Sequence, residues 1–193
     1  TLILIDWRSG EPFVLMGRRH VRHAFMPGRL VFPGGRTDPS DSRIAVASDL
    51  HPAEAARIAG RARNGRARAI RARAIALSAL RETYEEAGLL VGRKTSFATR
   101  SPQWRGFTDH GVQPALDGLR YIARAVTPPG NVRRFDTHFL AARRDEVAIE
   151  LASPPTEELE DIAWLPISKA MRLNVAAITH RVLEELGKRL SQD

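Results

Sequence analysis

The sequence contains no cysteine, so a disulfide framework and a thiolate metal site are both excluded. Lysine is nearly missing too: of 30 basic residues only Lys94, Lys169 and Lys188 are not arginine. No apolar run approaches the roughly 20 residues that span a bilayer, which excludes a transmembrane helix. The opening "TLILID" is apolar but short, without the basic flank and cleavage pattern of a secretion signal. The chain starts on Thr1, not Met, from which we expect further residues to precede it. A cytoplasmic setting and no membrane partner are the corresponding expectations.

What is present fits one domain over residues 1–193, with 43% hydrophobic and 27% charged residues. The net charge of +8 reads as a solvated, arginine-rich surface, or as an attraction for a phosphate-bearing ligand. Nucleic acid is not an expected partner, and a homodimer is compatible with the composition.

Strands and helices alternate along the chain. "LILID" (2–6) and "PFVLMGRR" (12–19) read as strands about a turn at Ser9-Gly10, and "RLVFPGG" (29–35) as a third strand ending on a glycine pair. A loop rich in Asp, Ser and Pro follows to Pro52. Residues 53–64 and 67–87 are helical by composition, with a break at Asn64-Gly65 and Gly88 as the terminating glycine. Strands are expected over 119–127, 134–142 and 161–167, the first two joined by the Pro128-Pro129-Gly130 turn. Helices over 168–173 and 175–190 complete the chain.

The chemistry concentrates in "ALRETYEEAGLLVG" (79–92). On a helix Glu82, Glu85 and Glu86 share one face, and like charges at that spacing repel. The negative end of the helix dipole adds to the cost. Arg81 is the one base close in sequence, so a divalent cation accounts for all three acids better than an ion pair does. Hard oxygen donors in one patch suit Mg²⁺ or Mn²⁺, which keep several waters and share substrate phosphates.

"RETYEEAGL" resembles the second half of the Nudix box, G-x5-E-x7-R-E-U-x-E-E-x-G-U, where U is aliphatic. It matches at Arg81, Glu82, Glu85, Glu86, Gly88 and Leu89, and Thr83 departs from the first U. The first half is missing from its usual distance, where Ala67 and Arg73 stand in place of glycine and acid. It is found upstream in "FPGGRTDPSD", as Gly35, five residues, then Asp41. The box is therefore split by 39 residues where seven are usual, and 42–66 is read as a helical insertion lying outside the catalytic core. Loop closure entropy grows slowly with length, so such a split is tolerable.

"FMPGRLVFPGGRTDPSD" (25–41), the long spacer and "VTPPG…RFDTHFLAA" (126–142) resemble a Nudix branch that includes the mammalian peroxisomal coenzyme A diphosphatase. The resemblance runs from about residue 2 to 190. It implies an α/β/α sandwich around a mixed sheet, Mg²⁺ or Mn²⁺ as cofactor, and hydrolysis of a nucleoside diphosphate linked to another moiety. Coenzyme A or an acyl derivative is the leading substrate; ADP-ribose, a dinucleotide or a nucleotide sugar are alternatives, as is a non-catalytic binding module. By the same resemblance Glu82, Glu85 and Glu86 are metal ligands, grouped with Arg81 as the catalytic set, and one of them is a candidate for deprotonating water.

Several further residues join these by chemistry. A carbonyl of Gly34 or Gly35 can reach the metal, since glycine lets backbone approach closely. Asp41 is the proposed partner of Arg81, in a partly buried structural pair. Glu158 is chosen from Glu157, Glu158 and Glu160 as a further metal acid. Arg29, Arg134 and Phe135 are candidate substrate contacts, Arg133 among them by adjacency. His20 and His23 have metal-like spacing but sit among arginines with no acid close in sequence, which suits phosphate better than zinc. Trp104 belongs either to a loop covering the substrate or to the core.

Overall fold

The computed structural model describes residues 1–20, 28–60, 65–130 and 134–191. Nine strands and five helices follow one another in these residues: β1 (Leu2–Arg8), β2 (Glu11–Arg19), β3 (Leu30–Val31), α1 (Pro52–Ala59), α2 (Gly65–Ala87), β4 (Leu89–Lys94), α3 (Arg105–Asp109), β5 (Val112–Pro114), β6 (Arg120–Val126), β7 (Asp136–Arg143), β8 (Val147–Glu150), β9 (Leu159–Pro166), α4 (Ile167–Ala170) and α5 (Ala177–Leu190). His23, Arg22, Arg133 and Asn64 lie outside the described residues.

The main sheet runs β3-β2-β1-β7-β6, with β9 also paired to β2. It is mixed: β1 lies parallel to β7, while the other pairings are antiparallel. Strand β1 shows why the sheet is covered twice. Leu2 and Leu4 pack into one apolar cluster with Leu77 and Leu80 of α2, while Ile3 and Ile5 pack into another with Val182, Leu183 and Leu186 of α5. Period-two alternation with both sets apolar is what a strand buried on both faces requires. The result is an α/β/α sandwich. Among the described residues no helix is long and apolar enough to cross a membrane.

Local chemistry fixes the joints. Ser9 and Gly10 both take positive φ (50° and 80°), the two-residue turn that matches strand twist in a hairpin. Helix α1 begins with Pro52 in its first turn, and Nδ1 of His51 accepts the Ala53 N–H at 3.3 Å. Helix α2 stops at Gly88, whose φ of 70° only glycine adopts cheaply, and the chain turns straight into β4.

Three expectations need correction. The third strand shrinks from 29–35 to Leu30–Val31, because Pro33 cannot donate to a ladder and Gly34-Gly35 leave the sheet for α2. Residues 89–118, unassigned by sequence apart from the loop around Trp104, hold β4, α3 and β5; with β8, strands β4 and β5 make a second sheet ordered β5-β4-β8. The described part of the segment 42–66 is not a detached cover: Ile44 and Ile58 are 3% and 2% exposed and belong to the α2-side hydrophobic cluster. Buried Glu54 of α1 accepts the Tyr121 N–H at 2.7 Å, tying the insertion to β6.

Candidate active site

One side chain organises the glutamate cluster. Arg81 is 5% exposed, and all five of its N–H donors are used. Nε and Nη2 reach the two oxygens of Asp41 at 3.0 and 3.2 Å. Nη2 also donates to the Arg36 carbonyl at 2.7 Å, and Nη1 donates to Glu82 at 2.8 Å and Glu85 at 3.0 Å. Burial alone would lower the arginine's pKa, but the bond to Asp41 and the charges of Glu82, Asp41 and Glu85 outweigh it and hold it above the ordinary value.

Asp41 is wholly buried, against the expectation of partial burial. The reason is its supply of donors: besides Arg81 it receives the Trp104 indole N–H at 2.9 Å and the Asp38 backbone N–H at 2.8 Å. Trp104 is therefore a core residue, packed on Phe107 with ring centroids 4.8 Å apart. Thr83, the departure from the aliphatic pattern, is buried because its hydroxyl donates to the Ala79 carbonyl one turn back at 2.8 Å.

The glycine pair closes on the same helix face. The Gly34 N–H donates to Glu86 at 2.7 Å, and a Cβ on Gly35 would collide with the Glu82 carboxylate. At the other end of the cluster Thr156 gives its backbone N–H and hydroxyl to the Glu85 carbonyl, at 3.1 and 2.8 Å. This anchors the loop before β9, and Glu158 acts electrostatically on both Glu82 and Glu86. Burial pushes all three helix carboxyls up; Glu86 reaches about 8, with the charges of Glu82 and Glu158 adding and the Gly34 N–H and Arg19 opposing.

Each glutamate keeps one oxygen with no hydrogen bond among the described residues. Nη1 of Arg81 engages both Glu82 and Glu85, and among the described residues no three His, Asp or Glu side chains are arranged to hold a metal ion. The donor type, carboxylate oxygen beside a glycine backbone, is the one hard cations such as Mg²⁺ and Mn²⁺ take, completing their shells with water and substrate oxygen.

The remaining candidates lie elsewhere. Arg29 pairs through its carbonyl with the Arg19 N–H at 2.9 Å beside β3. Arg134 donates to the Thr127 carbonyl at 3.3 Å, and the Phe135 N–H to the Thr127 hydroxyl at 3.1 Å, at the base of the β6–β7 hairpin. His20 stands 3.2 Å from Glu160, an acid that β2–β9 pairing brings near although it is remote in sequence. Sequence reasoning missed His138. Its parity on β7 with Leu140 and Ala142, both in the α2-side cluster, was the signal that it points toward α2.

No protein-family model and no curated protein matches the chain. Solved structures do. A Nudix hydrolase from Alicyclobacillus acidocaldarius shares 27% identity, with 95% of this chain and 87% of that one covered and a TM-score of 0.69. The NUDIX domain of Shewanella oneidensis NrtR, solved with ADP ribose, shares 12% over 98% and 84% of the two chains, with a TM-score of 0.52. A C. elegans Ap4A hydrolase shares 12% over 100% and 96%, with a TM-score of 0.51. The last two likenesses are of fold. The chain therefore has the fold of the Nudix hydrolases, and its likeness to the first of these structures, with the Arg-Glu-x-x-Glu-Glu set on α2, supports an enzyme of the pyrophosphohydrolase kind.

Proposed function

We propose that the chain cleaves the diphosphate bridge of a nucleoside diphosphate linked to a second moiety, using Mg²⁺ or Mn²⁺ held by Glu82, Glu85, Glu86 and a Gly35 carbonyl, with Glu158 at the rim. The observation that carries this reading is the Arg81 fork, which fixes two carboxylates of the cluster from a buried base at Asp41. The metal, when bound, would act as Lewis acid and template and lower the pKa of an attacking water.

The chain's own residues supply the rest. A free oxygen of the glutamate cluster accepts the proton as water oxygen bonds to phosphorus. The bridging P–O bond breaks, and the leaving phosphate departs as a monoester. The Gly34 N–H holds Glu86 in place. Arg81 has no donor left for substrate, so it is a positioning residue and not a catalytic one. Arg29, Arg134 and Phe135 are the residues proposed for the charged and planar parts of the substrate.

Coenzyme A or an acyl derivative is the leading candidate, since a ligand with a diphosphate and a third phosphate suits a chain of charge +8. ADP-ribose or a dinucleotide is the second reading, favoured by the ADP ribose and Ap4A named for the two structures of like fold. A hydrolysis screen over coenzyme A, acyl derivatives, ADP-ribose, dinucleotides and nucleotide sugars, with each metal, separates them. Turnover of coenzyme A well above the others supports the first reading; no turnover of any compound contradicts the whole proposal.

A further inference from the structure

The carboxylate of Asp41 takes four donors, two on each oxygen. Oδ1 receives Nε–H of Arg81 at 3.0 Å and the indole N–H of Trp104 at 2.9 Å. Oδ2 receives Nη2–H of Arg81 at 3.2 Å and the Asp38 backbone N–H at 2.8 Å. The arginine fork thus meets the carboxylate from one side, and one further donor balances each oxygen. On Oδ1 that donor is Trp104, wholly buried and 63 positions away in the chain.

The segment that carries the indole is held against the same helix turn. The Ser101 hydroxyl donates to that of Ser40, the residue before Asp41, at 3.0 Å. Trp104 packs on Phe107 with ring centroids 4.8 Å apart, and Phe107 meets Tyr84 edge-on at 5.6 Å. A Cβ on Gly106 would collide with the Tyr84 hydroxyl. Tyr84 and Arg81 stand three residues apart on α2 and so are neighbours on its surface. The contacts close a circuit: Arg81 to Asp41, Asp41 to Trp104, Trp104 through Phe107 to Tyr84, and back to Arg81. Filling the core here needs only an aromatic ring, which phenylalanine supplies as well. The indole N–H, a donor only, serves the carboxylate.

We infer that Trp104 is a positioning residue for the hydrolysis: its N–H fixes the Asp41 carboxylate and, through Arg81, sets where Glu82 and Glu85 stand. This rests on the hydrolase reading, in which those glutamates act at the diphosphate. The last link is narrow, because Nη1 of Arg81 holds both glutamates, at 2.8 and 3.0 Å. Without the indole, Oδ2 keeps two donors and Oδ1 one, and the carboxylate turns toward Asp38. N–H···O bonds run from about 2.7 to 3.2 Å, so a shift of about half an ångström in the fork breaks one glutamate contact. Misplacement by about 1 Å costs about a hundredfold in rate, which makes about tenfold the scale expected here.

Two measurements on the full chain test it. W104F keeps an aromatic ring in the core and removes the N–H. W104M, whose flexible side chain fills irregular space without a donor, takes its place if W104F does not fold. L186V trims a residue 1% exposed in the α5-side cluster, across the sheet from Asp41, and controls for lost packing. In each protein the Arg81 Nε–H signal, identified by its loss in R81K, is followed by NMR without metal. Then kcat and KM are measured at saturating Mn²⁺ with the best diphosphate from the screen.

Loss of the indole donor should shift the Arg81 signal and lower kcat about tenfold while KM stays as in wild type. L186V should match wild type in all three. An unmoved Arg81 signal would overturn the role, and so would a kcat equal to that of wild type. Equal losses in L186V would also overturn it, by showing general loosening. A shifted Arg81 signal in a chain that hydrolyses no diphosphate would support the link from Trp104 to Arg81 while sinking the hydrolase reading.

Discussion

Arg81 and Asp41 meet through two nearly parallel hydrogen bonds, 3.0 and 3.2 Å long, although 40 positions separate them. The contact joins the loop after the glycine pair to the helix carrying Glu82, Glu85 and Glu86. Because the pair is buried, removing one partner strands the other's charge. Asp41→Ala should therefore cost about 3–5 kcal/mol. Adding Arg81→Ala should cost less than the sum of the singles, since each already breaks the contact. Chemical denaturation of the four proteins measures this, and strict additivity would contradict the pairing.

The insertion is expected to behave as core. Ile58 of α1 is 2% exposed, and Ile58→Ala should destabilise the fold by about 2–5 kcal/mol. Replacing 42–60 with a Gly/Ser linker should abolish cooperative unfolding. A linker variant that melts like the parent would return this segment to the role of a detachable cover.

His138 gives the fold an acid sensitivity. Its folded pKa, lowered to about 4 from an ordinary 6.5, means that the unfolded chain binds a proton between those values while the folded chain does not. Stability linked to this group is therefore complete above about 6.5 and lost as pH falls toward about 4, by about 3 kcal/mol in all. His138→Leu should flatten that part of the profile. It should also raise stability at pH 7 by about 1–3 kcal/mol, since it removes unsatisfied buried polar atoms. Unfolding followed from pH 4 to 7 decides; a slope unchanged in the variant would assign it to other groups.

How much of this was legible in sequence depends on the range of the interaction responsible. The Ser9-Gly10 turn, the end of α2 at Gly88 and the shared face of the three glutamates are local, and the residues announce them. The pairing of Arg81 with Asp41 was reachable because the Nudix pattern brackets it. Trp104, which completes the Asp41 shell, was not, because 63 positions separate donor from acceptor. The small sheet of β4, β5 and β8 went unread since its strands are three to six residues long and start directly from a helix end or a turn. Glu160 beside His20 depends on β2–β9 register, which no local pattern states.

The α2 carboxylates, held by Arg81 and Gly34, are proposed to run a metal-dependent hydrolysis. Glu86→Gln keeps shape and helix propensity and removes the charge. With Mg²⁺ saturating and the best substrate from the screen, kcat should fall by about a hundredfold or more, the scale of losing an electrostatic stabiliser of the transition state. Thermal stability without metal should hold or rise, because a buried carboxylate crowded by Glu82 is no longer present. Full turnover by Glu86→Gln under those conditions would contradict the claim.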